Sequence, residues 1–147
     1  MGATNRIREI ASYFNAEMVI CDKHRKRANE IASMVVIGDV TGKDIVIIDD
    51  ICDTGGTLAK SAGLLKEKGA RSVRALITHP VLSGKAYENI ENSVLEELIV
   101  CDTIPVKKES SKIKVLSVAE LFAVAIRNAY ENKSITSLFI HSQRRDK

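Results

Sequence analysis

What the chain lacks narrows its class. No apolar run approaches the ~20 residues that a bilayer-spanning helix needs. The opening MGATNRIREI lacks the apolar stretch of a secretory leader. Gly2 after Met1 loosely fits a myristoylation pattern, but Arg6 stands where that pattern wants Ser or Thr. Neither sign of charge dominates: 22 Lys and Arg against 19 Asp and Glu leave +3. So small an excess argues against nucleic-acid or membrane-surface partners. The three cysteines, Cys21, Cys52 and Cys101, are odd in number, widely spaced and form no C-x-x-C pair. They read as reduced thiols of a cytoplasmic protein, each a small apolar side chain at a strand end. His24, His79 and His141 have no metal-ligand spacing and read as surface or capping residues. There is no internal repeat and no low-complexity segment.

What is present is an ordinary globular composition: 147 residues, 45% hydrophobic and 28% charged, enough for one domain with a real core. Strand-like and helix-like segments alternate. The apolar spacing predicts a helix over 7–14, with Ile7, Ile10, Ala11 and Phe14 on one face. Short strands are expected over 18–21, 35–37, 45–48, 73–78, 98–101 and 114–116. Thr41-Gly42-Lys43 is a turn. Helices are expected over 57–68, stopped by Gly69, over 85–90, and from a Ser117 cap to about Tyr130, with Glu120 completing a capping box. Strands separated by helices predict α/β architecture, with a central, mostly parallel sheet flanked by helices. Ile45-Val46-Ile47-Ile48 has no polar alternation, as a strand covered on both faces requires. In such sheets ligands sit beyond the carboxyl ends of the strands.

The densest chemical signal lies there. In IVIIDDICDTGGT, residues 45–57, a buried strand ends in Asp49-Asp50, Asp53 follows, and Thr54-Gly55-Gly56-Thr57 leads into a helix. Glycines let the backbone turn and approach a ligand closely. A helix start offers unpaired N–H groups and a positive dipole end to a phosphate. Thr54 and Thr57 add hydroxyls. Carboxylates beside a phosphate site must bind something else, namely sugar hydroxyls or magnesium. Together these residues predict a cradle for a phosphorylated sugar. Without a ligand the stretch would be a strand, an Asp-rich turn and a capped helix, and its three carboxylates would repel one another without return.

This stretch resembles the phosphoribosyl pyrophosphate binding motif of the type I phosphoribosyltransferase fold, which transferases share with the pyrophosphokinases that make their substrate. Other segments favour the latter. Asp22-Lys23-His24-Arg25-Lys26-Arg27-Ala28-Asn29-Glu30 resembles the catalytic loop of ribose-phosphate pyrophosphokinases. Thr78-His79-Pro80-Val81-Leu82-Ser83-Gly84, Ile90-Glu91-Asn92-Ser93, Asp102-Thr103-Ile104-Pro105 and Ser134-Ile135-Thr136-Ser137-Leu138-Phe139 are similar to that family too, in order along nearly the whole chain. The resemblance implies a single phosphoribosyltransferase-like domain over 1–139, matching the carboxyl-terminal half of the family's two-domain chain, and a polar tail over 140–147. It implies Lys23 and Arg25 as the catalytic pair. Arg25, Asp49, Asp50, Asp53, Thr54, Gly55, Gly56 and Thr57 would hold ribose 5-phosphate. Read from the residues themselves, His79 and Pro80 close a strand and are expected in a loop near the ligand.

The family's chemistry is transfer of pyrophosphate from ATP to the 1-hydroxyl of ribose 5-phosphate, with Mg2+ as cofactor, in homo-oligomers. Gly2, Ala3 and Thr4 look like the remnant of its pyrophosphate loop, without the metal-binding aspartate that normally precedes them. No metal-ligand set is therefore certain in this chain, and most of the ATP site lies in the other half. Two alternatives stay open. One is a non-catalytic regulatory or associated subunit of the same family. The other is a phosphoribosyltransferase, for which no segment is left to build a nucleobase-binding hood.

Overall fold

The computed structural model describes residues 2–24 and 33–139, with side chains for 7–21 and 34–139. It divides into two compact units, Val19–Leu116 and the flanking Met1–Met18 with Ser117–Lys147.

The central unit contains two sheets. Strands β1 (Ile20–His24) and β2 (Ser33–Ile37) form an antiparallel ribbon. Strands β3 (Asp44–Cys52), β4 (Ser72–Pro80), β5 (Glu97–Cys101) and β6 (Ile113–Leu116) form a parallel sheet in that order. Helix α2 (Gly56–Glu67) joins β3 to β4, and α3 (Ala86–Glu91) joins β4 to β5. The βαβ expectation therefore holds for β3 to β5, whereas the two earliest strands pair with each other outside the parallel sheet.

The core shows why these elements assemble. In β4, Val73, Ala75 and Ile77 are buried while Arg74, Leu76 and Thr78 face outward, the period-two pattern of a strand with one covered face. Leu58, Ala62 and Leu65 of α2 and Ala86 and Ile90 of α3 join the same cluster, with Leu98 and Val100 of β5 and partly buried Ile45 and Ile47 of β3. Val46, on the other face of β3, is not part of this cluster. Both helices, α2 and α3, pack into this one cluster.

Three helices end by one device. Gly69 (φ +94°) follows α2; its N–H donates to Lys66 O, and Ala70 N–H donates to Leu65 O, a Schellman motif that satisfies the last carbonyls. Asn15 does the same after α1 (Gly2–Tyr13), and Asn132 after α4 (Ala119–Tyr130). Gly42, also at positive φ, occupies the expected turn, where Lys43 N–H donates to Val40 O.

Two local expectations need correction. The cap of α4 is Val118, which makes no side-chain cap bond, and Ser117 Oγ accepts from Ala119 N–H at 3.3 Å. The helix starts one residue too late for Ser117 to reach the third N–H of a capping box. Residues 2–4, expected as a loop remnant, form the first turn of α1.

At the amino end of the sheet, Arg71 grips Asp44 with Nε and a second guanidinium nitrogen, and Ser72 Oγ donates to the same carboxylate at 2.6 Å. Arg71 first, then Ser72, hold the Asp44 carboxyl far below the ordinary carboxylate range. Among the described residues no helix is long and apolar enough to cross a membrane.

Candidate functional site: a glycine-turned cradle at the sheet edge

Strand β3 delivers Asp49 and Asp50 to the carboxyl edge of the parallel sheet. Residues 53–55 then bend into α2, which opens at Gly56. Gly55 sits in the left-handed region at φ +69°, ψ −7°. A Cβ there would lie 3.3 Å from Ala86 O and 3.4 Å from Ile90 Cγ1. Conformation and crowding both demand glycine. Gly55 O accepts from Ala59 N–H at 2.9 Å and so begins the helical ladder. The first N–H groups of a helix have no intrahelical acceptor, and here they open onto the Asp-bearing edge.

The turn is braced from the segment after β4. Leu82 N–H donates to Cys52 O at 3.1 Å and Ser83 N–H to Asp53 O at 3.0 Å. The Ser83 hydroxyl donates to the Asp53 carboxylate. From α3, Asn89 Nδ2 donates to Thr54 O at 2.8 Å. Leu82 holds φ +47°, an unfavourable conformation for a branched side chain, while its side chain is buried in the core. That burial and its bond to Cys52 hold the bend in place.

The electrostatics follow from the crowding. Burial pushes the Asp49 carboxyl above its ordinary range; the Asp50 N–H, which donates to Asp49 Oδ1 at 2.9 Å, opposes this, and the Asp50 charge adds to it. Cys52 is 4% exposed, and burial raises its thiol, reinforced by the Asp49 and Asp53 charges. It is a packed, protonated side chain, as expected. Cys52 and Cys101 close β3 and β5, but Cys21 is second in β1 and exposed, so it is neither at a strand end nor packed away.

The structure thus brings Asp49, Asp50, Asp53, Thr54, Gly55, Gly56 and Thr57 to one edge. Lys23 lies in β1, paired in register with Met34. The Met34 sulfur is 3.3 Å from Ser61 Oγ of α2, which ties the ribbon to the helix that begins at the cradle. The Lys23 side chain and Arg25 lie outside the described residues, as does the rest of the expected catalytic loop to Glu30. Gly2, Ala3 and Thr4 belong to the flanking unit. Sequence reasoning missed Asn89 and gave Ser83 no role. Ser83 lay in a segment already singled out, but no local pattern marks an asparagine that reaches a carbonyl 35 residues away.

A parallel sheet flanked by helices, with this acidic strand end and glycine turn, defines a type I phosphoribosyltransferase fold. The model of the phosphoribosyl synthetase-associated domain matches residues 11–140, and the chain belongs to that family. It is 56% identical over 140 residues to the ribose-phosphate pyrophosphokinase of Wolinella succinogenes and 53% identical over 140 residues to that of Campylobacter jejuni, in each case over 95% of this chain and 45% of the relative. Its fold is similar to the crystal structure of phosphoribosylpyrophosphate synthetase from Mycobacterium smegmatis, with a TM-score of 0.75 and 36% identity over 86% of this chain and 42% of that one. The chain thus spans less than half the length of the relatives it matches.

Proposed function

We propose that this chain supplies the ribose 5-phosphate site of a ribose-phosphate pyrophosphokinase, an enzyme that joins ribose 5-phosphate and ATP to give phosphoribosyl pyrophosphate and AMP. The observation that carries this is the braced turn at Gly55, which aims the start of α2 at the edge where Asp49, Asp50 and Asp53 sit. The N–H groups and threonine hydroxyls take the 5-phosphate, and the carboxylates accept from ribose hydroxyls. The ribose 1-hydroxyl attacks the β-phosphorus of ATP, and the bond to the α-phosphate breaks to release AMP. No protein nucleophile is needed. Lys23 and Arg25 neutralise charge on the transferring phosphate oxygens. Support for Lys23 is indirect: its strand pairs with the strand anchored to α2.

Magnesium is the cofactor that the resemblance implies. Among the described residues no three His, Cys, Asp or Glu side chains are placed to hold a metal. Magnesium is usually held by one or two carboxylates together with substrate phosphates, so a three-ligand protein cluster is not what it requires.

A regulatory or associated subunit is the second reading. It is favoured by the description of the matching family as an associated domain. Calorimetric titration with ribose 5-phosphate, and with phosphoribosyl pyrophosphate plus magnesium, tests the site that the first reading requires. Binding of either that disappears in Asp53→Asn supports the cradle. Binding of neither contradicts it and leaves the subunit role.

A further inference from the structure

The carboxyl ends of β4 and β5 are joined by a hydrogen-bonded chain that the cradle does not use. Thr103 Oγ1 lies 2.8 Å from Thr78 O and 3.0 Å from His79 Nδ1. A threonine hydroxyl has one proton, and a carbonyl can only accept. The Thr103 proton is therefore spent on Thr78 O, and the hydrogen between Thr103 and His79 must come from the imidazole. This fixes the neutral ring as the Nδ1–H tautomer and leaves a lone pair on Nε2.

The face of the sheet that carries the ring follows from the strand register. His79 pairs with Ile51 and Ile77 with Asp49, so His79 and Asp49 share one face of the sheet at its ligand-binding end. Pro80 follows His79 and is fully buried, fixing the backbone behind the exposed ring. A neutral nitrogen acceptor repels phosphate oxygens and accepts from a hydroxyl.

We infer that His79, oriented by Thr103, is a sugar-binding residue whose Nε2 accepts a hydrogen bond from a hydroxyl of the phosphorylated sugar beside Asp49. The inference rests on the ribose 5-phosphate reading above and adds a specificity-determining contact that neither the cradle nor the Lys23 and Arg25 assignment contains.

Two measurements on this chain test it. Long-range proton–nitrogen NMR correlations of the His79 ring, recorded where it is neutral, should show Nδ1 protonated and Nε2 bare, and Thr103→Val should remove that bias. An Nε2–H tautomer in the unsubstituted chain overturns the inference. Calorimetry with ribose 5-phosphate and, separately, inorganic phosphate supplies the second readout. Asn at position 79 keeps the donor to Thr103 but lacks the distal acceptor, whereas Gln places an oxygen near the lost Nε2. His79→Asn should lose roughly three- to tenfold in ribose 5-phosphate affinity, the worth of one neutral hydrogen bond, with phosphate affinity unchanged, and His79→Gln should recover most of it. Equal ribose 5-phosphate affinity in the unsubstituted chain and His79→Asn overturns the inference and leaves the cradle standing. A parallel loss for both ligands also overturns it, because His79 would then act only on the fold. No ribose 5-phosphate binding by the unsubstituted chain overturns the cradle reading and this contact together.

Discussion

A Cβ added at Gly55 would press on the Ala86 carbonyl from a backbone at φ +69°, whereas one added at Gly56 would meet nothing closer than Thr54 Oγ1 at 3.8 Å. The two neighbours therefore separate folding from binding. Gly55→Ala should cost about 1–3 kcal/mol from left-handed strain and crowding, read as a lower urea midpoint. Gly56→Ala should keep the midpoint and weaken ribose 5-phosphate binding, because its side chain would intrude from the ligand side. Asp49 gives a pH-dependent test. Its folded value lies above the ordinary one, so the fold favours the protonated form, and the stability this confers is lost as pH rises through the folded value. Asp49→Asn should then melt at a higher temperature than the unsubstituted chain at neutral pH while binding ribose 5-phosphate more weakly. A lower melting temperature would contradict the burial argument. A residue-by-residue reading found the acids, threonines and glycines because they are contiguous. It missed Asn89 because only the fold brings that side chain to Thr54.

Among the elements, β3, α2, β4 and the Gly69 stop were legible because each carries a local signal: a β-branched run, an apolar helical stripe, or a glycine placed to close a helix. The direction of pairing was not. Short strands of valine and isoleucine fit either orientation, and nothing in residues 20–24 or 33–37 marks them as an antiparallel ribbon rather than part of the parallel sheet. The clamp between the start of β3 and β4 carries its own test. The Asp44 value is depressed, so its contribution is present above the unfolded carboxyl value and is lost as pH falls from there through the folded value. The gap in urea midpoint between the unsubstituted chain and Asp44→Asn should be constant at neutral pH and shrink below about pH 4. A gap that widens in acid would contradict the clamp. In the core beneath, Leu65→Ala should cost roughly 2–5 kcal/mol by equilibrium denaturation, as expected for a leucine 1% exposed.

For the whole molecule, helix α4 of the flanking unit carries Leu121, Phe122 and Ile126, large apolar side chains on a single helix. A homo-oligomer is what the family resemblance implies, and apolar helix side chains of this kind suit a protein contact. Sedimentation velocity should show concentration-dependent association, and Phe122→Glu should reduce it. A monomer at all concentrations would count against self-association. The central claim is that the chain holds a phosphorylated sugar at the start of α2. The most direct measurement is a crystal structure of this chain grown with ribose 5-phosphate. The phosphate should sit against the backbone N–H groups of residues 54–57, with ribose hydroxyls on the carboxylates that follow β3. A phosphate seated elsewhere, or none at saturating ribose 5-phosphate, would contradict the account.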